Sequence, residues 1–302
     1  MAWGLEIGTE TLRLCRAELR RGRLHLRRRA EVAVPSGLIR PSQKDANVAD
    51  AAALGQLLRG LCAGAGCRGW VRVALPDPVF SLRTIASDEL PAKREEARRF
   101  LLWQARELLP FPAEAGRLDF LPLGPGTDGR VRTVCLATQD RILAEYERVL
   151  AAANLRAAVL DARCIALAQA ASEILGRGTT GLLLADRAWT TLLVVLEGRP
   201  RFWRLLHEGV HGWTGADGAL VPLLREVADS LAFCRESEGM GPLQGMALAG
   251  LGAEAAGVAS ALKDWLGIPV TALDLSAALP VAGPSDDLTP WGPAIGVAIR
   301  PC

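Results

Sequence analysis

The sequence predicts an α/β protein whose core is duplicated, and two observations lead to this fold class. The chain opens with three consecutive strand patterns, which are followed by a helix and a further strand. The same order returns after a Gly/Thr-rich break at 176–181, although the residues of the two halves do not repeat. At 302 residues, the chain is long enough for one large domain or two medium ones with a substantial core.

The first half is predicted from alternating and helical hydrophobic patterns. Strands are expected at 3–8, 11–19, 23–34, 70–76 and 155–161, and helices at 48–63 and 162–175. Arg21 and Gly22 are predicted to form the turn between the second and third strands, so that a meander opens the fold.

Residues 79–154 show a different order and are predicted to form an inserted α+β subdomain. The expected elements are strands at 79–85, 115–123 and 131–138 and helices at 91–108 and 139–153. Pro110 and Pro112 end the first of these helices, because proline lacks an N–H donor and disfavours helical backbone in the preceding residue.

The second half follows the order of the first. Strands are expected at 181–186, 190–198, 199–209, 246–250 and 268–273, and helices at 220–239 and 254–267. An apolar segment at 291–300 closes the chain, and its pattern assigns it no element.

Charge is balanced overall but concentrated locally. The net charge of +2 gives no reason to expect nucleic-acid binding, which needs a basic face. Residues 13–29 nevertheless contain eight arginines and one glutamate. We interpret this segment as the solvated face of a hairpin, because Leu24 and Leu26 alternate with polar residues. Contact with acidic lipid headgroups or with nucleic acid are the alternatives.

Cysteine and histidine usage argues against disulfide and metal chemistry. Seven cysteines, scattered through apolar contexts, favour reduced and buried thiols and hence a cytoplasmic location. Cys62 and Cys67 lack zinc-site spacing, and His25, His207 and His211 form no metal-binding motif, so no metal site is expected. We see neither a signal peptide nor an apolar stretch long enough to span a membrane.

A series of short motifs follows a recognisable order along the chain. They are GLEIGTETLRLCRAEL, VRVALPDPVFSLRTI, LPFPAEAGRLDF, VCLATQDRILAEYERVLAAANLRAAVLDARCIALAQA, LLVVLEGRPRFWRLLHEG, REVADSLAFCRES, MALAGLGAEAAGVASALKDWLGIPV and AIGVAIR. In this order they resemble the actin-like ATPase superfamily, and within it the branch of PilM-like type IV pilus assembly proteins.

The resemblance covers nearly the whole chain and implies a division into subdomains. It implies an actin-like (ribonuclease H-like) duplicated core with an inserted α+β subdomain and a truncated second lobe. The first actin-like subdomain would comprise 1–78 and 155–180, the insertion 79–154, and the second actin-like subdomain 181–302 with a reduced helical lobe.

The first phosphate-binding turn implied by the resemblance is altered. Its remnants are Gly8, Thr9, Thr11 and Arg13, the last of which stands in the place of the family's lysine. Glu10 puts a carboxylate where the anion would lie, and we expect it to repel phosphate.

The second phosphate turn and the adenosine-side glycines are altered as well. Asp186 is retained, but Trp189 stands near it where the family has small residues, and we expect this indole to prevent close backbone approach. Gly250 and Gly252 remain from the family's Gly-Gly pair, and 210–223 replaces the helical subdomain that covers adenine. We therefore expect no hydrolysis and no cofactor, with ATP and Mg²⁺ as the alternative.

The insertion carries residues suited to a partner. In PilM-like proteins, the groove between the first unit and the insertion receives a short N-terminal cytoplasmic peptide from PilN, a single-pass inner-membrane protein. On this resemblance we assign Arg83, Phe100, Trp103 and Phe111 to a partner groove. We expect Phe100 and Leu108 to pack in the core and Trp103 to be the more accessible side chain.

The function that the resemblance implies is that of a scaffold without catalytic residues. It would be cytoplasmic, peripheral to the inner membrane, and part of a type IV pilus or type II secretion-like assembly. In this assembly it would dock to the tail of a PilN-like protein. Actin-like relatives can self-associate, so the resemblance also allows self-association. The alternatives are an ATP-binding PilM-like actin-fold ATPase and a stand-alone GspL-like cytoplasmic secretion component.

Overall fold

Two mixed five-stranded sheets form the centre of the part of the chain that the structure describes. The structure is a computed structural model and describes residues 1–126, 128–210, 220–237, 240–281 and 287–301. Its strands are β1 (Ala2–Ile7), β2 (Thr11–Arg20), β3 (Arg23–Ala33), β4 (Gly69–Leu75), β5 (Ser81–Ser87), β6 (Gly116–Pro125), β7 (Val131–Gln139), β8 (Leu155–Ala162), β9 (Thr179–Ala185), β10 (Thr190–Leu196), β11 (Arg199–Leu206), β12 (Gly245–Ala249) and β13 (Val270–Ala272).

The two large sheets share one topology. The strand order is β3-β2-β1-β4-β8 in the first sheet and β11-β10-β9-β12-β13 in the second. In each sheet the central strand pairs antiparallel with the strand that follows it and parallel with the strand on its other side. The duplication predicted from the order of patterns is thereby confirmed.

Helices connect the strands and cover the sheets. They are α1 (Ala51–Ala65), α2 (Arg94–Gln104), α3 (Asp140–Ala152), α4 (Arg163–Ala170), α5 (Ser172–Leu175), α6 (Val221–Ser237), α7 (Ala255–Leu266), α8 (Leu275–Ala278) and α9 (Gly292–Ile299). In the first half α1 leads from the meander to the first parallel strand, and α6 has the same place in the second half. Short 3₁₀ turns supplement these helices.

Local sequence signals set several of the boundaries. The turn between β2 and β3 is tight because Arg21 and Gly22 both have positive φ, 51° and 74°, and glycine adopts this backbone without a steric penalty. The Asp50 carboxylate accepts hydrogen bonds from the amides of Ala52 and Ala53 and caps the start of α1. Gly66, with φ of 75°, ends that helix in the left-handed conformation.

The insertion has its own sheet and its own small core. Its strands are ordered β5-β7-β6, and α2 packs on them. The core contains the buried side chains of Leu101, Phe111 and Leu118. The edge strand β5 meets the second large sheet, where the Thr84 hydroxyl donates a hydrogen bond to the Arg201 carbonyl at 3.1 Å.

Two helices join parts of the chain that are distant in sequence. Helix α3 lies inside the range predicted for the insertion, yet it packs on α1, and Tyr146 belongs to the main core. It leads into β8 as α7 leads into β13. The final apolar segment is the helix α9, and it packs on the first sheet and on α4. The predicted boundaries between subdomains stay predictions.

The contacts of α9 depend on two glycines. A Cβ atom on Gly4 of β1 would lie 2.0 Å from the Ala294 carbonyl oxygen, and one on Gly296 would lie 1.7 Å from the Ala166 carbonyl oxygen. No side chain fits at either distance, so glycine is what lets α9 approach the sheet and α4 so closely.

The buried thiols follow the prediction, whereas part of the second lobe lies outside the described ranges. Cys15, Cys62, Cys67, Cys135, Cys164 and Cys234 are buried thiols that form no disulfide bond. His211, Cys302 and most of the segment that replaces the helical lobe lie outside the described residues. In the ranges that the structure describes, no helix has the length and apolarity that crossing a membrane requires.

Candidate functional site

A cavity of about 930 Å³ lies between the two large sheets. The turn after β1 and the turn after β9 face it, because each central strand ends at this cleft. All seven residues predicted as remnants of a nucleotide site line it: Gly8, Thr9, Thr11, Arg13, Asp186, Gly250 and Gly252. The fold thus brings together residues from three separate parts of the sequence.

The first turn, 8–10, is held by hydrogen bonds of its backbone groups. The Gly8 amide donates a hydrogen bond to the Thr11 carbonyl at 3.0 Å, and the Glu10 carbonyl accepts one from the Val34 amide at 2.8 Å. A Cβ on Gly8 would lie 2.9 Å from the same Thr11 oxygen, so this glycine is needed for the turn itself.

The second turn, 186–189, is likewise held by hydrogen bonds of its backbone amides. The Asp186 amide donates to the Trp189 carbonyl at 2.8 Å, and the Arg187 amide donates to the Asp186 carboxylate at 2.7 Å. Trp189 is only 9% exposed and is not one of the described residues that line the cavity. The expectation that its indole prevents close backbone approach stays a prediction.

A buried arginine joins the acidic residues of the two halves. Arg163, at the start of α4, donates to the Glu6 carboxylate at 2.8 Å through Nε and to the Asp186 carboxylate through Nη1. Glu6 is 1% exposed, and Arg13 lies 3.6 Å from its second oxygen. Burial lowers the pKa of Arg163, but the carboxylates of Glu6 and Asp186 outweigh this and hold the pKa above its usual value. Arg163 is therefore a permanent cation between the two turns.

A second ion pair crosses the cleft nearer the solvent. Arg187, on the second turn, is bound to the carboxylate of Glu10 on the first turn. Both side chains are about half exposed, at 55% and 50%. Glu10 was expected to repel phosphate, and in this structure its charge is neutralised by an arginine of the other half.

Below the turns, Asp77 links the first half to the second. It accepts hydrogen bonds from the Cys164 amide at 2.9 Å and from the Thr191 hydroxyl at 2.8 Å. Burial raises the pKa of Asp77 to about 6, because the ionised form loses its hydration, although Arg163 acts in the opposite direction. This carboxyl group is protonated in mildly acidic solution.

The two glycines that the resemblance assigns to the adenosine side, Gly250 and Gly252, line the cleft and have positive φ. Gly250 has a φ of 87°, and a Cβ there would lie 2.0 Å from the Ala185 carbonyl oxygen at the end of β9. Gly252 has a φ of 53° and open space where a Cβ would be. Among the described residues, no group of three or more His, Cys, Asp or Glu side chains is arranged to hold a metal ion.

The four residues predicted for the partner groove have different environments. Trp103 on α2 is 56% exposed, and the guanidinium of Arg106 lies 4.3 Å from its ring centroid. Phe100 is partly buried, and Phe111 is a core residue at 5% exposure, so Phe111 offers no accessible surface. Arg83 donates a hydrogen bond to the Leu108 carbonyl at 3.2 Å, and burial lowers its pKa.

The environment of Leu108 corrects one expectation. We expected this side chain in the core, but it is 49% exposed, because α2 ends at Gln104 and a turn carries Leu108 outward. Trp103 and Leu108, with Arg106 beside them, form an exposed apolar patch at the end of α2. The four residues of the prediction thus contribute one accessible anchor, one partly buried ring and two supporting groups.

Sequence reasoning missed the central role of Arg163. Its partners Glu6 and Asp186 lie far away in the chain, and an arginine at the start of a helix carries no signal of its own. The signal for Arg187 was stronger, because it directly follows the retained Asp186 of the second turn.

Comparison with known proteins places this geometry in a known fold. No protein-family profile and no curated protein sequence matches the chain. Among solved structures, PilM in the "PilM-PilN type IV pilus biogenesis complex" is 26% identical, with a TM-score of 0.81 over 98% of this chain and 96% of that chain.

Two more distant structures support the fold alone. A Bacteroides thetaiotaomicron protein with actin-like ATPase fold and unknown function is 10% identical, with a TM-score of 0.51 over 96% and 94% of the two chains. The ethanolamine utilization protein EutJ from Carboxydothermus hydrogenoformans is 13% identical, with a TM-score of 0.51 over 99% and 89%. The chain therefore has the actin-like fold and is similar, over nearly its whole length, to a chain of the PilM-PilN complex.

Proposed function

We propose that this protein is a non-hydrolysing cytoplasmic scaffold of a type IV pilus or type II secretion-like assembly. It docks at the inner membrane by binding the cytoplasmic N-terminal tail of a PilN-like protein. The observation that carries the proposal is the likeness to PilM of the PilM-PilN complex, which extends over nearly the full length of both chains. A likeness of that extent supports a shared binding role, because the insertion is included in it.

The cleft supports a role without hydrolysis. A magnesium-bound triphosphate needs free amides in the turns and carboxylates that can face a hydrated metal. Here the amides of Gly8, Asp186 and Arg187 are used within the turns, and Arg163 stands between Glu6 and Asp186. We infer that these residues do not fit magnesium triphosphate, and that the cleft holds the two halves together.

The end of α2 supports the docking role. Trp103 and Leu108 are exposed apolar side chains, and aromatic residues beside arginine are enriched at the centres of protein interfaces. The hydrogen bond from Arg83 to the Leu108 carbonyl fixes the turn that presents them. A tail peptide with an apolar side chain would bury this patch on binding.

ATP binding is the second candidate, and the size of the cavity favours it. A volume of about 930 Å³ lies in the range of small-molecule sites, and every predicted nucleotide-site remnant lines it. This candidate requires the ion pairs of the cleft to open, and it is tested separately by adding nucleotide.

The docking proposal is tested with a fluorescent peptide that copies the N-terminal tail of the PilN-like protein. We expect binding measurable by fluorescence anisotropy, and a loss of about 30-fold in affinity for Trp103→Ala, as for a central interface aromatic. Trp265→Ala is the matched control, because Trp265 is 50% exposed on α7, in the other half. Absence of peptide binding, or equal losses in the two variants, would reject the proposal.

A further inference from the structure

The end of the first sheet that lies opposite the cleft collects exposed apolar and basic side chains. β1 runs from this end towards the cleft, and β4 and β8 run parallel to it. The first residues of these strands and the turn between β2 and β3 therefore meet here. We call this surface the basic pole and define it by Leu19, Arg21, Arg23, Arg68, Trp70 and Arg156.

The apolar members of the basic pole lie on one face of the sheet. Ala2 pairs with Ala17, and Leu19 is two residues further along β2, so it projects to the same side. The register of Gly4 with Arg72 puts Trp70 level with Ala2 on that face as well. Leu19 is 49% exposed and Trp70 is 62% exposed. Two large apolar side chains thus stand in solvent on the same side.

The helix that covers this face ends before it reaches the pole. Arg72 donates hydrogen bonds to the carbonyls of Ala298, at 2.8 Å, and Arg300, at 2.6 Å, at the end of α9. Trp70, two residues before Arg72, lies beyond that end. The guanidinium of Arg156 lies 6.0 Å from the centroid of its ring, on which it forms a cation–π contact, and the side chain stays largely exposed.

The charge around these apolar side chains is of one sign. Arg21 and Arg23 flank the tip of the hairpin, and Arg68 immediately precedes β4, and all three are exposed. Glu18, the acidic residue of the hairpin that lies nearest the turn, is paired with Arg20 at 2.7 Å and with the N-terminal ammonium group at 3.0 Å. Among the described residues, Arg21, Arg23 and Arg68 have no acidic partner. The surface is therefore strongly basic in a chain whose net charge is only +2.

We propose that the basic pole docks directly on a bilayer that contains anionic phospholipids. Arginines attract the negatively charged headgroups, while tryptophan and leucine insert at the boundary between headgroups and acyl chains. This proposal goes beyond the tail-binding function, because it gives the protein a lipid contact of its own. A surface that is basic only to keep the edge strand β3 from pairing with other chains would not need the exposed Trp70.

The test is sedimentation of the purified full chain with vesicles, without any tail peptide. We expect binding to phosphatidylcholine vesicles that contain roughly one third phosphatidylglycerol, weak binding to pure phosphatidylcholine, and a decrease as ionic strength rises to about 0.15 M. The triple variant Arg21→Gln, Arg23→Gln, Arg68→Gln is expected to lose about 100-fold in affinity, since each arginine near the surface contributes about fivefold. Trp70→Ala is expected to lose on the order of tenfold.

A second triple variant controls for net charge. Arg199→Gln, Arg204→Gln and Arg225→Gln remove the same charge from exposed positions of the second half, and this variant should bind like the wild type. Equal losses in the two triple variants, no sedimentation with anionic vesicles at low salt, or tighter binding to duplex DNA would overturn the proposal. Each outcome is separate from tail binding, which the pole variants should leave unchanged.

Discussion

Arg163 is the residue on which the electrostatics of the cleft depend. It is 12% exposed and lies between a carboxylate of each half, Glu6 and Asp186. Removing a buried cation leaves its partners as uncompensated buried charges, and that penalty exceeds the energy of the pair itself.

We predict that Arg163→Met lowers the free energy of unfolding by about 3 to 5 kcal/mol, measured by urea denaturation at neutral pH. Arg187→Met is the matched control, because the Arg187–Glu10 pair is about half exposed, and its loss should cost less than about 1 kcal/mol. Combining Arg163→Met with Glu6→Gln and Asp186→Asn should recover part of the loss. Equal effects of the two single arginine variants would contradict this account.

Asp77 gives the fold a pH dependence of known sign. Its ordinary pKa of 3.8 is raised to about 6 in the folded protein, so the native state binds a proton that the unfolded state has released. The stability that this group contributes is complete below about pH 4 and is lost as the pH rises through 6.

We predict that the wild type loses about 2 kcal/mol of stability relative to Asp77→Asn between pH 4 and pH 6.5, measured by urea denaturation across this range. The side-chain amide of the introduced asparagine can still accept a hydrogen bond from the Cys164 N–H and can still bond to the Thr191 hydroxyl, but it carries no titratable charge. Comparing the two proteins removes the contributions of the other carboxyl groups. Parallel pH profiles would show that Asp77 does not titrate in this window.

At the scale of secondary-structure elements, most of the fold was readable from the sequence. The alternating patterns predicted β1, β2 and β10 to within one or two residues, because each has a regular inward and outward alternation or a fully apolar run between turns. The helix α9 was not assigned, since its residues 292–298 are all buried and show no helical periodicity.

The site was readable only in part. The glycines and Asp186 were found because the resemblance fixes their positions along the chain. The burial of Trp189 was not predicted, because whether an indole is buried beside a cleft depends on the course of a short turn. The pairs Glu6–Arg163 and Glu10–Arg187 join residues more than 150 positions apart, and no local pattern reports such contacts.

The packing of α9 leads to a prediction for helix glycines. Gly296→Ala should destabilise the protein by about 2 to 4 kcal/mol, because its Cβ would lie 1.7 Å from the Ala166 carbonyl oxygen and overpacking forces backbone shifts. Gly60→Ala in α1 and Gly257→Ala in α7 are the controls, since a Cβ at either position meets nothing within 4 Å. Both should stabilise by up to about 1 kcal/mol.

Thermal or urea denaturation of the three variants measures these differences. A Gly296→Ala variant as stable as the wild type would mean that α9 does not approach α4 as closely as described. Loss of stability in the control variants would mean that helix glycines matter here for a reason other than space.

At the scale of the whole molecule, duplication supplies two turns that face each other across one cleft. In this protein the amides of Gly8, Asp186 and Arg187 are hydrogen-bonded within the turns, and two ion pairs, Arg163–Asp186 and Arg187–Glu10, connect the halves across the cleft. The chain has the actin-like fold, and exposed apolar side chains lie at the end of α2 and at the basic pole. The scaffold function that we propose needs such surfaces and a rigid arrangement of the halves.

The most direct test of this account is the melting temperature of the protein with and without millimolar Mg-ATP. A ligand at 100 times its dissociation constant would stabilise the native state by about 2.7 kcal/mol and raise the melting temperature by several degrees. We predict no change, because Arg163 and Arg187 already pair with the carboxylates of Glu6, Asp186 and Glu10, and the amides of Gly8, Asp186 and Arg187 are in use. A saturable rise in melting temperature with Mg-ATP would contradict the account and identify the protein as a nucleotide-binding member of its fold.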